Sequence, residues 1–332
     1  MMNSTEQDAV LKQFNHQIVI YPTFDRAHAQ LKRAIRATEL RGEPSCALLY
    51  GPSGSGKSKL CKIFRNSFDA ADHSIEVDGK YRNRPAFYCT VPTPVTVKSF
   101  LKSILARLGH PNAAGDAADM NYELIQSITT AKIKVMIFDE FQRLTKREAE
   151  KARQLTIDWL VALLNEIHIP IIICGTTECL TLLGDAPLAR RYPYLANLDY
   201  LSFSEREHSE FVLTLRGLDD AIYNIAELES GVHFHDMSIC APLYAATRGN
   251  LEYLRHVLHF AIERCLSRGD RALQRQDLIE ACQCIRLPLN LSLWQSPFEI
   301  SHNNCMKLII DYETKTIEIA AQKEAAIRSF ST

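Results

Sequence analysis

The stretch CALLYGPSGSGKSKL, residues 46–60, constrains this chain more than any other. A short apolar run suited to a buried strand leads into a loop with glycine at 51, 54 and 56, and a helix can begin straight after it. Gly51, Gly56, Lys57 and Ser58 satisfy the spacing G-x-x-x-x-G-K-[ST] in the strand–loop–helix setting that the pattern requires. Each residue type has a physical reason. Glycines let backbone N–H groups turn into the loop and cradle phosphate oxygens. The free N–H groups and dipole of the following helix favour an anion at its first turn. Lys57 can reach the β- and γ-phosphates, and Ser58 can ligate Mg2+. Gly51, Pro52, Ser53, Gly54, Ser55, Gly56, Lys57, Ser58 and Lys59 are therefore the candidate cradle for ATP.

Around this loop, short apolar runs alternate with helical patterns. Strands are predicted at 46–50, 84–91, 134–140, 169–175 and 196–203, and helices at 23–40 and 97–109. Strands of this kind separated by helices predict an α/β fold, a three-layer αβα sandwich around a parallel five-stranded sheet. Beyond Phe203 the pattern is helical. Ser204 and Glu207 have capping-box spacing, and Leu251, Leu254, Leu258 and Ile262 form one apolar stripe closed by Gly269. A short hairpin is predicted over 306–320. The expected organisation is a loosely held arm (1–20), a nucleotide-binding domain (21–203), a small helical lid (204–286) and a tail (287–332).

Three further constellations bear on chemistry. The apolar strand VMIFDE ends in two carboxylates, which need partners at a sheet edge. Asp139 can hold Mg2+ directly or through water, and Glu140 can polarise a water that attacks the γ-phosphate. The strand IIICGTTE ends in Thr176 and Thr177; either can orient that water, or cap the helix that follows. Arg190 and Arg191 form either a solvated pair or an arginine finger reaching a neighbouring subunit's nucleotide.

Phosphate loop, Asp-Glu strand, threonine-ended strand, arginine pair and helical lid, in this order, resemble an AAA+ ATPase. The stretches YPTFDRAHAQL, GPSGSGKS, VMIFDEFQRL and IIICGTTE…LARRYPYL are most similar to the TniB/TnsC branch, the ATPase regulators of Tn7-like DNA transposition. The resemblance implies a ring or helical filament assembled on double-stranded DNA with ATP, bridging a target-selection protein of TniQ type to the transposase. It implies Lys57 and Ser58 on phosphate and Mg2+, Asp139 and Glu140 on metal and water, and Thr176 as γ-phosphate sensor. It further implies Arg190 or Arg191 as the finger, and Tyr21 and Phe24 near the adenine. The lid departs from the family pattern: TRGNLEYLR has Glu252 near the usual sensor arginine, flanked by Arg248 and Arg255, and Arg248 is the candidate substitute.

A net charge of −1 predicts no global attraction to nucleic acid, so DNA contact needs a local patch. The helix over 97–109 offers one: Thr96, Lys98 and Lys102, with Ser99 and Ser103, lie opposite an apolar stripe of Val97, Phe100, Leu101, Ile104, Leu105 and Leu108. An ordinary solvated face reads the same way. Lys146 and Arg147 belong to a second basic cluster that is also a candidate for DNA contact, although its acids, Glu148 and Glu150, suit ion pairing within a helix at least as well. The apolar tail residues from Leu287 to Trp294 either pack on the lid or recruit another protein. Without a long apolar run or a secretion signal, a cytoplasmic protein with reduced, buried thiols and no membrane partner is expected. Rival assignments are an ExeA-like secretion ATPase, a replication initiator and a P-loop small-molecule kinase.

Overall fold

The computed structural model describes residues 3–71, 84–146, 150–204, 208–269, 271–287 and 296–329. The chain divides into two compact units. Pro22–Asp199 form an α/β unit; Met1–Tyr21 and Tyr200–Thr332 form a helical unit.

In the α/β unit the chain runs α2 (Pro22–Arg41), β1 (Ala47–Tyr50), α3 (Lys57–Ala71), β2 (Ala86–Thr90), α4 (Val97–Leu108), α5 (Ala117–Thr130), β3 (Val135–Asp139), α6 (Glu150–Ile167), β4 (Ile171–Gly175), α7 (Ala186–Ala189) and β5 (Tyr194–Asn197). All pairings are parallel, in the order β2-β3-β4-β1-β5. Right-handed crossovers put α3 on one face of this sheet and α4 to α6 on the other. Burial on both faces explains the unbroken apolar runs of β3 and β4. Phe100 of α4 packs edge-on against Phe138 of β3 (centroids 4.8 Å apart) and Trp159 of α6 (5.5 Å), anchoring these elements in one core. The expected five-stranded αβα sandwich is present. Its last strand lies at 194–197, earlier than the predicted 196–203, because hydrogen bonding to β1 ends where Leu198 N–H meets Tyr50 O.

The helical unit holds α1 (Ser4–His16), α8 (Glu210–Ile225), α9 (Met237–Thr247), α10 (Leu251–Arg268), α11 (Arg275–Cys284) and α12 (His302–Ser329). A two-strand parallel pair, Ser230–Gly231 with Ala272–Leu273, interrupts the helices. Residues 4–16 are no loose arm. Asn3 and Glu6 make a capping box, and Val10, Leu11 and Phe14 are buried against the unit. The predicted hairpin over 306–320 is instead part of α12: Cys305 and Ile309, four apart, are both buried, a helical period that overrides the β-branched composition. The capping box read at Ser204 and Glu207 falls partly outside the described residues, and α8 begins later, after Ser209. Leu289, Leu291, Leu293 and Trp294 also lie outside them. Nine of the ten cysteines are buried and all are free thiols. No helix among the described residues is long and apolar enough to cross a membrane.

Candidate functional site: a phosphate loop flanked by two strand tips

The loop after β1 adopts backbone that its glycines permit: Gly54 and Gly56 have φ of +80° and +96°. It delivers the chain into α3, whose first turn contains no acidic residue. No acid of its own first turn therefore offsets the positive end of that helix. Lys57 is buried and its Nζ donates to Pro52 O at 2.7 Å, folding the ammonium back over the loop. Ser55 is buried, Ser58 is half-buried in the first turn of α3, and Ser53 and Lys59 are exposed.

Sheet order sets β4 next to β1 and β3 beyond it, so their C-terminal tips border the loop. Asp139 ends β3 and is buried. Its Oδ1 accepts the Glu140 N–H at 2.8 Å, and its Oδ2 accepts the Tyr88 hydroxyl at 2.6 Å. Burial first, then this bond, raises the Tyr88 phenol far above its usual range, so it stays a donor. Glu140 has φ +61°, a left-handed turn that for a non-glycine residue costs about 1–3 kcal/mol and swings its side chain out of strand register. Its Oε2 accepts from Gln142 Nε2 at 3.1 Å and lies 3.9 Å from the Arg143 guanidinium. Gln142 Oε1 in turn accepts the Thr176 N–H at 3.3 Å. One amide thus joins the tips of β3 and β4. Gly175 precedes Thr176, and a Cβ there would stand 2.7 Å from Gln142 Oε1 and 2.4 Å from Cys179 Sγ, so glycine is needed for the amide to pass. The Thr176 hydroxyl donates to Glu178, while Thr177 is exposed at the start of a 3-10 helix.

Tyr88 and Gln142 were absent from the sequence expectations. Gln142 sits two residues beyond Glu140 in FDEFQRL, and Tyr88 is the residue on β2 whose alternation with Phe87 and Cys89 puts a hydroxyl beside the β3 tip; both signals are weak without the fold.

The two arginines differ. Arg191 donates to Asn165 Oδ1 at 2.5 Å and to Pro187 O at 2.8 Å. Arg190 is exposed and has no side-chain partner among the described residues. On α4 Phe100, Leu101, Ile104 and Leu105 of the apolar stripe are buried, Val97 and Leu108 are half-buried, and Lys98 and Lys102 are exposed, with no carboxylate at ion-pair distance among the described residues. The neighbouring hydroxyls do not share that face. Thr96 and Ser99 cap the helix reciprocally, and Ser103 lies 3.5 Å from Cys89 Sγ. Lys146 is exposed; Arg147 lies outside the described residues; Arg153 pairs with Glu150 at 3.4 Å.

Phe24 is buried on α2 of the α/β unit, whereas Tyr21 and Arg248 belong to the helical unit. Arg248, at φ +53°, closes α9; its guanidinium lies 4.1 Å over the Tyr312 ring and donates to the Tyr312 hydroxyl at 3.0 Å. Arg255 donates to the carbonyls of Phe14 (3.1 Å) and Gln17 (2.5 Å), which commits it to holding α1.

The sequence model of the family described as Bacterial TniB protein matches residues 10–197, more than half of the chain. The chain belongs to the TniB family. No match was found among curated proteins. Among solved structures, this TniB-family chain is similar to the ORC2 protein of Aeropyrum pernix in ADPNP–ADP complexes, with a TM-score of 0.58 and 14% identity over 82% of this chain and 70% of that one. It is also similar to the Aeropyrum pernix ORC1 protein in complex with DNA (0.53, 18%, 76% and 63%) and to Drosophila ORC bound to DNA (0.54, 12%, 85% and 67%). At such identities the likeness shows the fold, that of an AAA+ ATPase.

Proposed function

We propose that this TniB-family protein is an ATPase that assembles on double-stranded DNA with ATP and bridges a TniQ-type target-selection protein to a transposase, hydrolysis governing the assembly's lifetime. The observation that carries the reading is the phosphate loop bordered by the Asp139–Glu140 tip, in a chain of this family.

In this reading the N–H groups of the loop and of the first turn of α3 bind the phosphates, and Lys57 leaves Pro52 O for the β- and γ-phosphate oxygens. Ser58 and Asp139 suit an oxygen-liganded Mg2+, because each Asp139 oxygen accepts one hydrogen bond and keeps a further lone pair. Bound there, the ion would neutralise charge on the phosphate oxygens. Tyr88 fixes the Asp139 carboxylate. Glu140 takes the proton from the attacking water, and Thr176 senses the γ-phosphate. Arg190 rather than Arg191 is the finger offered to a neighbouring subunit, since among the described residues only the Arg191 side chain is engaged within its own. Lys98 and Lys102 supply sequence-independent phosphate contacts to DNA, with Thr96 ordering the start of their helix.

The test is electron microscopy with sedimentation of the purified protein plus a short duplex, in ATP, ADP or a slowly hydrolysed analogue, at low and high salt. Rings or filaments that need both triphosphate and duplex, and weaken as salt rises, are the expected result. A monodisperse particle indifferent to DNA would overturn the transposition reading.

A further inference from the structure

Asp219 is a buried carboxylate in the middle of α8, away from any phosphate chemistry in the sequence. A carboxylate at that depth needs partners. Its Oδ1 accepts the backbone N–H of Phe234 at 2.8 Å, which fixes the plane of the group. Its Oδ2 faces two imidazoles: His233 Nδ1 at 2.7 Å and His235 Nδ1 at 3.6 Å. The three donor atoms lie within 4.8 Å of one another.

The local chain builds this convergence. Phe234 is fully buried, and its neighbours on either side turn together toward Asp219. Tyr223, one helical turn after Asp219, stacks on the His233 ring (centroids 4.6 Å apart) and donates to Val232 O at 3.1 Å, holding both ring and loop. One observation is not explained by hydrogen bonding. His235 Nδ1 is buried and has no hydrogen-bond partner among the described residues, although it points at the carboxylate. A buried ring nitrogen left without a hydrogen-bond partner is costly, and a cation shared with the carboxylate 3.6 Å away would satisfy it.

We propose that Asp219, His233 and His235 form a binding site for a zinc-class divalent cation in the helical unit. One carboxylate and two imidazoles are a donor set suited to Zn2+, Co2+ or Ni2+ rather than to Mg2+. Tetrahedral coordination with bonds near 2.0–2.1 Å separates donors by about 3.3 Å. The Asp219–His235 separation already approaches that value, and the Asp219–His233 pair has to open slightly. His233 shifts its proton to Nε2 when Nδ1 takes the metal, so no net charge need leave the protein. The Phe234 N–H and the Tyr223 ring are the outer supports. A water completes the set. Such a site ties α8 to the segment that opens α9 (Met237–Thr247).

The test uses full-length, chelator-stripped protein carrying Cys284→Ser, so that the exposed thiol is not a donor, in excess Mg2+ and ADP. Co2+ is titrated by calorimetry and visible absorption, with Zn2+ as competitor, and Tm is read with Zn2+ and with chelator. One equivalent should bind with ligand-field bands, Zn2+ should displace it, and Zn2+ should raise Tm in a way that chelator reverses. His235→Gln and His233→Gln should each weaken binding by more than the ten- to hundredfold, roughly, that loss of an outer support costs. Binding unchanged in both histidine variants, or no Zn2+-dependent rise in Tm of the parent, would overturn the proposal and leave a hydrogen-bonded histidine–aspartate cluster.

Discussion

At the scale of single residues, the β3 tip separates binding from turnover. Glu140→Gln keeps the shape of the side chain and removes the base. ATP hydrolysis should fall by about 10²–10⁴-fold while nucleotide affinity changes little, measured by phosphate release and equilibrium binding. Assemblies formed with ATP should outlast those of the parent. The arginine pair makes a second contrast. Arg190→Ala should abolish assembly-dependent turnover and leave Tm unchanged. Arg191→Ala loses bonds to Asn165 and Pro187, and should cost about 1 kcal/mol of stability once solvent exposure is allowed for. Equal ATPase losses with equal Tm in the two variants would contradict the assignment of roles.

At the scale of elements, α4 is held by the Phe100–Phe138–Trp159 cluster, which leaves Lys98 and Lys102 on its outer side. Lys98→Glu with Lys102→Glu should weaken duplex binding and make the salt-dependence slope shallower by roughly 1 for each DNA phosphate no longer neutralised, with an unchanged melting curve. What the sequence made legible follows from period and spacing. β1, β3 and β4 are unbroken apolar runs ending at chemistry-bearing residues, so strands and site residues announce each other. β5 was displaced because its register is set by β1, not by its own composition. Residues 306–320 read as a hairpin because their four Ile and two Thr favour strands, yet Cys305 and Ile309 bury at helical spacing. Gln142, Tyr88 and the Asp219–His233–His235 cluster were invisible for a different reason: each depends on neighbours from other elements that no local pattern encodes.

At the scale of the whole molecule, the helical unit is built from both ends of the chain. Phe14 of α1 is fully buried, and Arg255 of α10 donates to the carbonyls of Phe14 and Gln17. Phe14→Ala should therefore destabilise the helical unit by about 3–5 kcal/mol, the usual cost of emptying a buried phenylalanine site, read by denaturant unfolding. An unchanged midpoint would restore the reading of residues 1–20 as a dispensable arm. This arrangement has a consequence for biogenesis. Residues 4–16 leave the ribosome ahead of the α/β unit, but α8 and α10, which bury them, are translated only after that entire unit. At about 5–20 residues per second the first helix waits roughly 10–40 s for its partners. Through that interval Val10, Leu11 and Phe14 stay uncovered on a nascent chain whose nucleotide-binding portion can already be complete.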